Sequence, residues 1–164
     1  MKTIKRYIKE SQNFLVNKKL KNRQDKYEYH PTTKDDLYDI IVKLLKNGQT
    51  DLNCIDVSSI TDMGGLFSNV NESIIVKDID ISKWDVSNVE DMSSMFCKCR
   101  YFNSDLSKWN VSQVNDMTCM FYDCCKFNSD LSNWKVTDDC WRGAMFCRCD
   151  TLTKKNNVPK WYSN

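Results

Sequence analysis

Asp80-Ile-Ser-Lys-Trp-Asp-Val-Ser-Asn-Val-Glu-Asp-Met-Ser-Ser-Met-Phe-Cys-Lys-Cys-Arg-Tyr-Phe-Asn-Ser104 returns in the same pattern, without insertion, in the 25 residues from Asp105 to Ser129. A third copy opens with Asp130-Leu-Ser-Asn-Trp134 and decays after Ala144-Met145-Phe146. Trp84, Trp109 and Trp134 are 25 residues apart, and so are Cys99, Cys124 and Cys149. A degenerate earlier copy, Asp56 to Phe67, matches Asp85 to Phe96 from 29 residues upstream, so four residues are inserted between Phe67 and Asp80. A fixed period of this size is the mark of stacked supersecondary units. The expected fold class is therefore an α/β repeat solenoid.

Within a copy, residues 88–92 read as a short strand that directs Val89 and Met92 inward. Asp91 or Ser93 then caps a one- or two-turn helix carrying Met95, Phe96 and Cys99. Nine columns are apolar: Ile81, Trp84, Val86, Val89, Met92, Met95, Phe96, Cys99 and Phe102. That number is about what one solenoid turn can bury, so these residues are candidate core. Asp80, Ser82, Ser87 and Asn103 recur where the chain must turn, and short side chains of this kind satisfy backbone groups at corners. Calcium is the competing reading for stacked carboxylates, but a calcium-binding roll needs glycine-rich loops and the chain has four glycines.

The pattern Asp-Leu-Ser-x-Trp-x-Val-Ser, then Val-x-Asp-Met-x-x-Met-Phe, then Cys-x-x-Phe-Asn, resembles the bacterial surface protein repeat family, a BspA-like and leucine-rich-repeat-like group. The resemblance covers roughly residues 52–150. It implies a leucine-rich-repeat-like architecture and a general role in recognition, and it brings no active site. The opening Lys2-Thr-Ile-Lys-Arg-Tyr-Ile-Lys-Glu-Ser11 also resembles the start of some phage-encoded proteins bearing this repeat, which would fit a virion-associated setting.

The chain of 164 residues is long enough for one domain with a sizeable core. Its charge is unevenly spread. Residues 1–26 hold nine Lys and Arg against Glu10 and Asp25, so with +2 overall they leave −5 for the remainder. No apolar run approaches the roughly 18 residues of a spanning helix, and Lys and Arg interrupt any signal-peptide core. A cytoplasmic location, in a host-cell interior or a virion, is expected. Nine cysteines are an odd number and follow the repeat. Reduced packing thiols are therefore expected rather than a disulfide scaffold. The pairs Cys97-x-Cys99, Cys124-Cys125 and Cys147-x-Cys149 are spaced poorly for tetrahedral zinc. No metal or other cofactor is expected.

Four segments follow: a basic arm over 1–26, a capping helix region over 27–50, the repeats over 51–151 and a C-terminal cap over 152–164. The arm has an apolar stripe at Ile4, Tyr7, Ile8, Phe14 and Leu15, then a basic cluster, Lys18, Lys19, Lys21 and Arg23, which is the candidate nucleic-acid contact. His30 is the chain's one histidine, and without a nucleophile near it in sequence it reads as structural. Thr33-Lys-Asp-Asp36 has a capping-box pattern, Leu37, Ile40, Ile41, Leu44 and Leu45 form a stripe, and Gly48 fits the left-handed residue after the helix. This N-terminal helical cap would close the first turn. Pro159 bars a further ladder strand, and Val158 with Trp161 would lie over the last turn.

Outward columns change from copy to copy, unlike the inward ones. Lys83, Asp85, Lys98, Arg100, Lys108, Asp123, Lys135 and Arg148 are the candidate partner-binding surface. A folded protein tolerates such irregularity better than a uniform polymer does. The expected function is a non-enzymatic protein-interaction module whose partner is another protein. Two other readings are a nucleic-acid-associated protein acting through its arm, and a surface adhesin.

Overall fold

Each copy begins at a corner built by its own aspartate. The Ser82, Ser107 and Ser132 N–H groups donate to Oδ1 of Asp80, Asp105 and Asp130, each at 2.9 Å. A second column repeats the device at Asp56, Asp85 and Asn110, and a third at Asp62, Asp91 and Asp116. Each such bond occupies a backbone donor that a strand ladder would otherwise use. The structure, a computed structural model, describes residues 26–68, 70, 78–154 and 158–162.

Between corners the chain runs as overlapping turns. Met95 N–H donates to Met92 O, Cys97 to Ser94 O and Cys99 to Phe96 O, at 3.2, 3.0 and 2.9 Å. Ser94 and Lys98 have positive φ (54° and 65°), as do their equivalents Cys119, Asp123, Ala144 and Arg148. Every second amide along this path turns the same way. The N–H groups of residues 92, 94, 96 and 98 all donate to the carbonyls of 116, 118, 120 and 122 in the next copy, at 2.7–2.9 Å. Residues 117, 119, 121 and 123 donate likewise to 141, 143, 145 and 147. The copies therefore lie one on another, in register at the parallel bridges Asp62–Asp91, Asp91–Asp116 and Asp116–Trp141.

This geometry corrects the α/β solenoid expectation. Among the described residues there is no β-strand; bridges are isolated, and the α-helices are α1 (Lys34–Lys46) and α2 (Asp150–Lys154), with a 3₁₀ turn at Lys160–Tyr162. The strand expected over 88–92 and the helix expected to carry Met95, Phe96 and Cys99 are both absent. The helix is broken by the left-handed residue at Ser94 and again at Lys98, and the strand is cut short by the corners at Asp85–Ser87 and Asp91–Ser93. A left-handed residue breaks α-helix and extended strand alike.

The nine apolar columns are all buried in the copy that defines them, from 0% exposure at Ile81 to 8% at Cys99. Rings stack along them. Phe67, Phe96, Phe121 and Phe146 form one ladder with centroids 5.2, 5.5 and 5.7 Å apart. Phe102 and Phe127 stack at 5.8 Å beside it. Each indole also donates back one copy: Trp84, Trp109 and Trp134 Nε1 to the carbonyls of Leu52, Ile81 and Leu106 at 3.0, 3.2 and 2.9 Å. Trp161 does the same to Leu131 O and stacks on Trp134 at 6.2 Å. The segment that departs from the repeat in sequence thus fills the next place in the Trp column.

Helix α1 closes the other end. Thr33 Oγ1 accepts the Asp36 N–H at 3.1 Å. At the far end Gly48 N–H donates to Leu45 O and Gln49 N–H to Leu44 O, with Gly48 left-handed at φ 78°. Those two bonds satisfy carbonyls that the helix end orphans. Leu37, Ile41 and Leu44 are the buried face, while Ile40 and Leu45 are half-buried against the same core.

Candidate functional site

Seven of the eight surface candidates face solvent: Lys83, Asp85, Lys98, Arg100, Lys108, Lys135 and Arg148. By column they make two stripes, one beside the Trp column and one beside the Cys column. Asp123 is the correction. It is 7% exposed, and Arg100 reaches it with Nε at 3.2 Å and Nη2 at 3.0 Å. Burial pushes its carboxyl up, but the Arg100 hydrogen bond and charge outweigh that and hold it below the usual carboxylate range. Asp123 therefore joins neighbouring copies and offers little to a partner. The arm residues Lys18, Lys19, Lys21 and Arg23 lie outside the described residues.

Among the described residues two large apolar side chains are exposed that sequence reasoning did not single out, Tyr101 at 57% and Trp141 at 73%. Trp141 had a readable signal, since it stands in the column where earlier copies carry Asp62, Asp91 and Asp116. Tyr101 borders an acidic depression of about 390 Å³ with Asp78, Asp80, Asn103 and Asp105. Hydrogen bonds from the Ser107 backbone and side chain hold the Asp105 carboxyl below its usual range. The Asp80 carboxyl is also low: burial raises it, but its bonds to Ser82 and Asn53 win. A larger depression, about 790 Å³, separates the last copy from the C-terminal segment and is lined by Asp130, Trp134, Pro159, Lys160 and Trp161.

No disulfide joins any of the nine cysteines. Cys124 Sγ–H donates to Phe96 O at 2.9 Å and Cys149 to Phe121 O at 2.7 Å, so the thiols knit one copy to the one before. Burial pushes Cys99 and Cys149 up to about 12 and raises Cys124 as well. Thiolates are the reactive form, so these three are expected to resist alkylation in the folded protein, whereas exposed Cys147 reacts first. Mass spectrometry after denaturation without reductant should then count nine labels. A reproducible native bridge would overturn this account.

His30 Nδ1 lies 3.7 Å from Asp56 Oδ2, at the bridge from Tyr29 to Ile55. Among the described residues no group of three or more His, Cys, Asp or Glu is placed to hold a metal ion. Among them, too, no helix is long and apolar enough to cross a membrane, and no buried side-chain nitrogen or oxygen lacks a hydrogen-bond partner.

A family model described as "Mycoplasma protein of unknown function, DUF285" matches residues 36–161, from the third residue of α1 to the Trp at the end of the Trp column. The match corrects the assignment to the bacterial surface protein repeat family, and expectations drawn from that resemblance now rest on the residues alone. No curated protein and no solved structure matches the chain.

Proposed function

The chain belongs to the DUF285 family, and we propose that it is a non-enzymatic protein-interaction module. One contrast carries this reading. Inward columns are largely kept through the first two full copies, and the Trp84, Trp109, Trp134 column through all three, whereas outward columns are not. Lys83 and Lys108 become Asn133, and Asp85 becomes Asn110 and then Lys135. The repeated aromatic, Met and Cys columns are consumed in packing. What faces water is an irregular mix of charges with two exposed aromatics, Tyr101 and Trp141. Aromatic and Arg anchors within a polar surround are what protein interfaces use.

The second reading rests on the nine Lys and Arg of residues 1–26. Binding of nucleic acid through that arm would be mostly phosphate neutralisation, with a log–log salt slope of roughly −4 on duplex DNA. One comparison of full-length protein with protein lacking residues 1–26 separates the two. The module reading expects the same partner to be captured from source cells by both forms, with affinity within a few-fold. It also expects negligible duplex binding at physiological salt. Tight, salt-sensitive duplex binding abolished by the truncation would overturn it.

A further inference from the structure

We propose that the C-terminal edge of the stack, residues 141–148, is a docking row for an extended acidic peptide segment of another protein. Every inner copy turns four amides toward the copy that follows, and that copy's carbonyls accept them. In the last copy the equivalent amides belong to Arg142, Ala144, Phe146 and Arg148. Among the described residues no acceptor meets any of the four. The exposures agree. Asp116, Thr118, Cys119 and Tyr122 are half-covered by the copy beyond them, and Asp123 is buried. Their counterparts Trp141, Gly143, Ala144, Cys147 and Arg148 are all exposed. Trp161 and Tyr162 cap the core side of this copy, against Trp134 and Phe146, and leave the amide row open.

The chemistry of the row selects its occupant. A β-strand edge presents N–H and C=O groups together, so laid on a donor-only row it would oppose N–H to N–H. Aligned amides form a partial positive charge that takes anions. Arg148, over the Tyr122 ring at 5.8 Å, adds a cation at one end of the row, while Arg142, in the inward column of Met92 and Met117, is half-buried with Nη1 donating to Trp161 O at 3.4 Å. The acidic neighbours Asp138, Asp139 and Asp150 lie beyond the row in sequence. Carboxylates strung along one face of an extended peptide meet the four donors, and Trp141 offers an apolar face for the stems. The opposite end is closed to a second copy, because α1 packs there and Lys34 Nζ holds the Asp62 carboxylate at 2.9 Å. The inference rests on the interaction-module reading for the kind of ligand, and on the amide row for the place.

Amide hydrogen exchange on the full chain tests it, with a blocked octaglutamate peptide as probe. Alone, residues 142, 144, 146 and 148 should exchange fast while 117, 119, 121 and 123 are protected. Octaglutamate should slow the first set by at least about tenfold and leave the second unchanged. Ala144→Asp puts a like charge on the row at a left-handed position that Asp tolerates. It should weaken octaglutamate at least about tenfold relative to Ala144→Asn. No protection, equal protection by octalysine, or no difference between the two Ala144 variants would overturn the proposal. Equal protection by inorganic phosphate would reduce the row to a simple ion site, and protection that grows with protein concentration alone would give it to a second copy; either result also overturns it. A partner captured from cells whose binding leaves these amides unprotected would overturn this inference and leave the interaction-module reading standing.

Discussion

Replacing Trp109 by alanine should cost the protein its cooperative unfolding transition or its solubility. Trp109 is 4% exposed and stacks on Trp134 at 6.5 Å with the rings nearly parallel. Large-to-small changes of this kind cost about 3–5 kcal/mol, against about 5–15 kcal/mol for the whole domain. The loss does not stop at the cavity. Trp109 Nε1 is the donor to Ile81 O, and an abandoned buried acceptor adds about 1–3 kcal/mol. Trp109→Phe should fall between, since it fills much of the cavity and still abandons the carbonyl. Urea unfolding followed by circular dichroism measures all three proteins. A Trp109→Ala protein with an unchanged midpoint would mean that the column is not structural.

The column that makes this expectation strong was readable from spacing alone. A period of 25 residues places Trp84, Trp109 and Trp134 at one place in successive copies, and a place filled by indole three times over is an interior place. The Asp and Ser corners were readable for the same reason, because Asx turns act within three residues of sequence. The path between corners was not. Ser94, Lys98, Cys119 and Asp123 adopt the left-handed region without being glycine, so nothing in their identity announces it. Gly65, at φ 67° in the column of Ser94 and Cys119, is the single place where sequence carried the hint. Without it, apolar residues such as Val89, Met92 and Met95, three apart, look like strand and helix.

The surface was legible in part. A column whose charge is not kept through all copies reads as facing water, and Lys83, Lys108 and Lys135 are exposed as that argument expects. It failed at Asp123 because its partner, Arg100, stands 23 residues earlier in a different column. A pair formed across columns leaves no periodic trace. The donor row at 142–148 was invisible for a deeper reason: it belongs to the backbone, whose direction is set by the left-handed residues. The breaks at Asp139, Trp141 and Arg142, where a Val, an Asp and a Met column end, mark that edge in the sequence.

The Ile41→Asp protein should expose its core at the N-terminal end and lose on the order of 4 kcal/mol or more. Helix α1 is the lid on a stack that has no strand ladder to hold its first turn. Its 13 residues present Leu37 and Ile41 at 0% exposure and Leu44 at 4%. They join one core cluster with Leu52 and Ile55, which belong to the turn beneath. A carboxylate at position 41 would be buried without a partner there. It would either take up a proton or force the helix away. The ion pair from the helix to the repeats adds little. The Lys34–Asp62 pair is 35% and 54% exposed, and pairs so exposed contribute little. Undocking would uncover Leu52 and Ile55 and remove the surface on which the first turn is packed, so the damage should spread from that end into the repeats. Asp39→Asn, on the exposed face of α1, should change stability by no more than about 0.5 kcal/mol. Urea midpoints, with binding of a hydrophobic dye as the second measurement, compare the two. If Ile41→Asp matches Asp39→Asn in both, the stack stands without its helix, and α1 is an appendage instead of a cap.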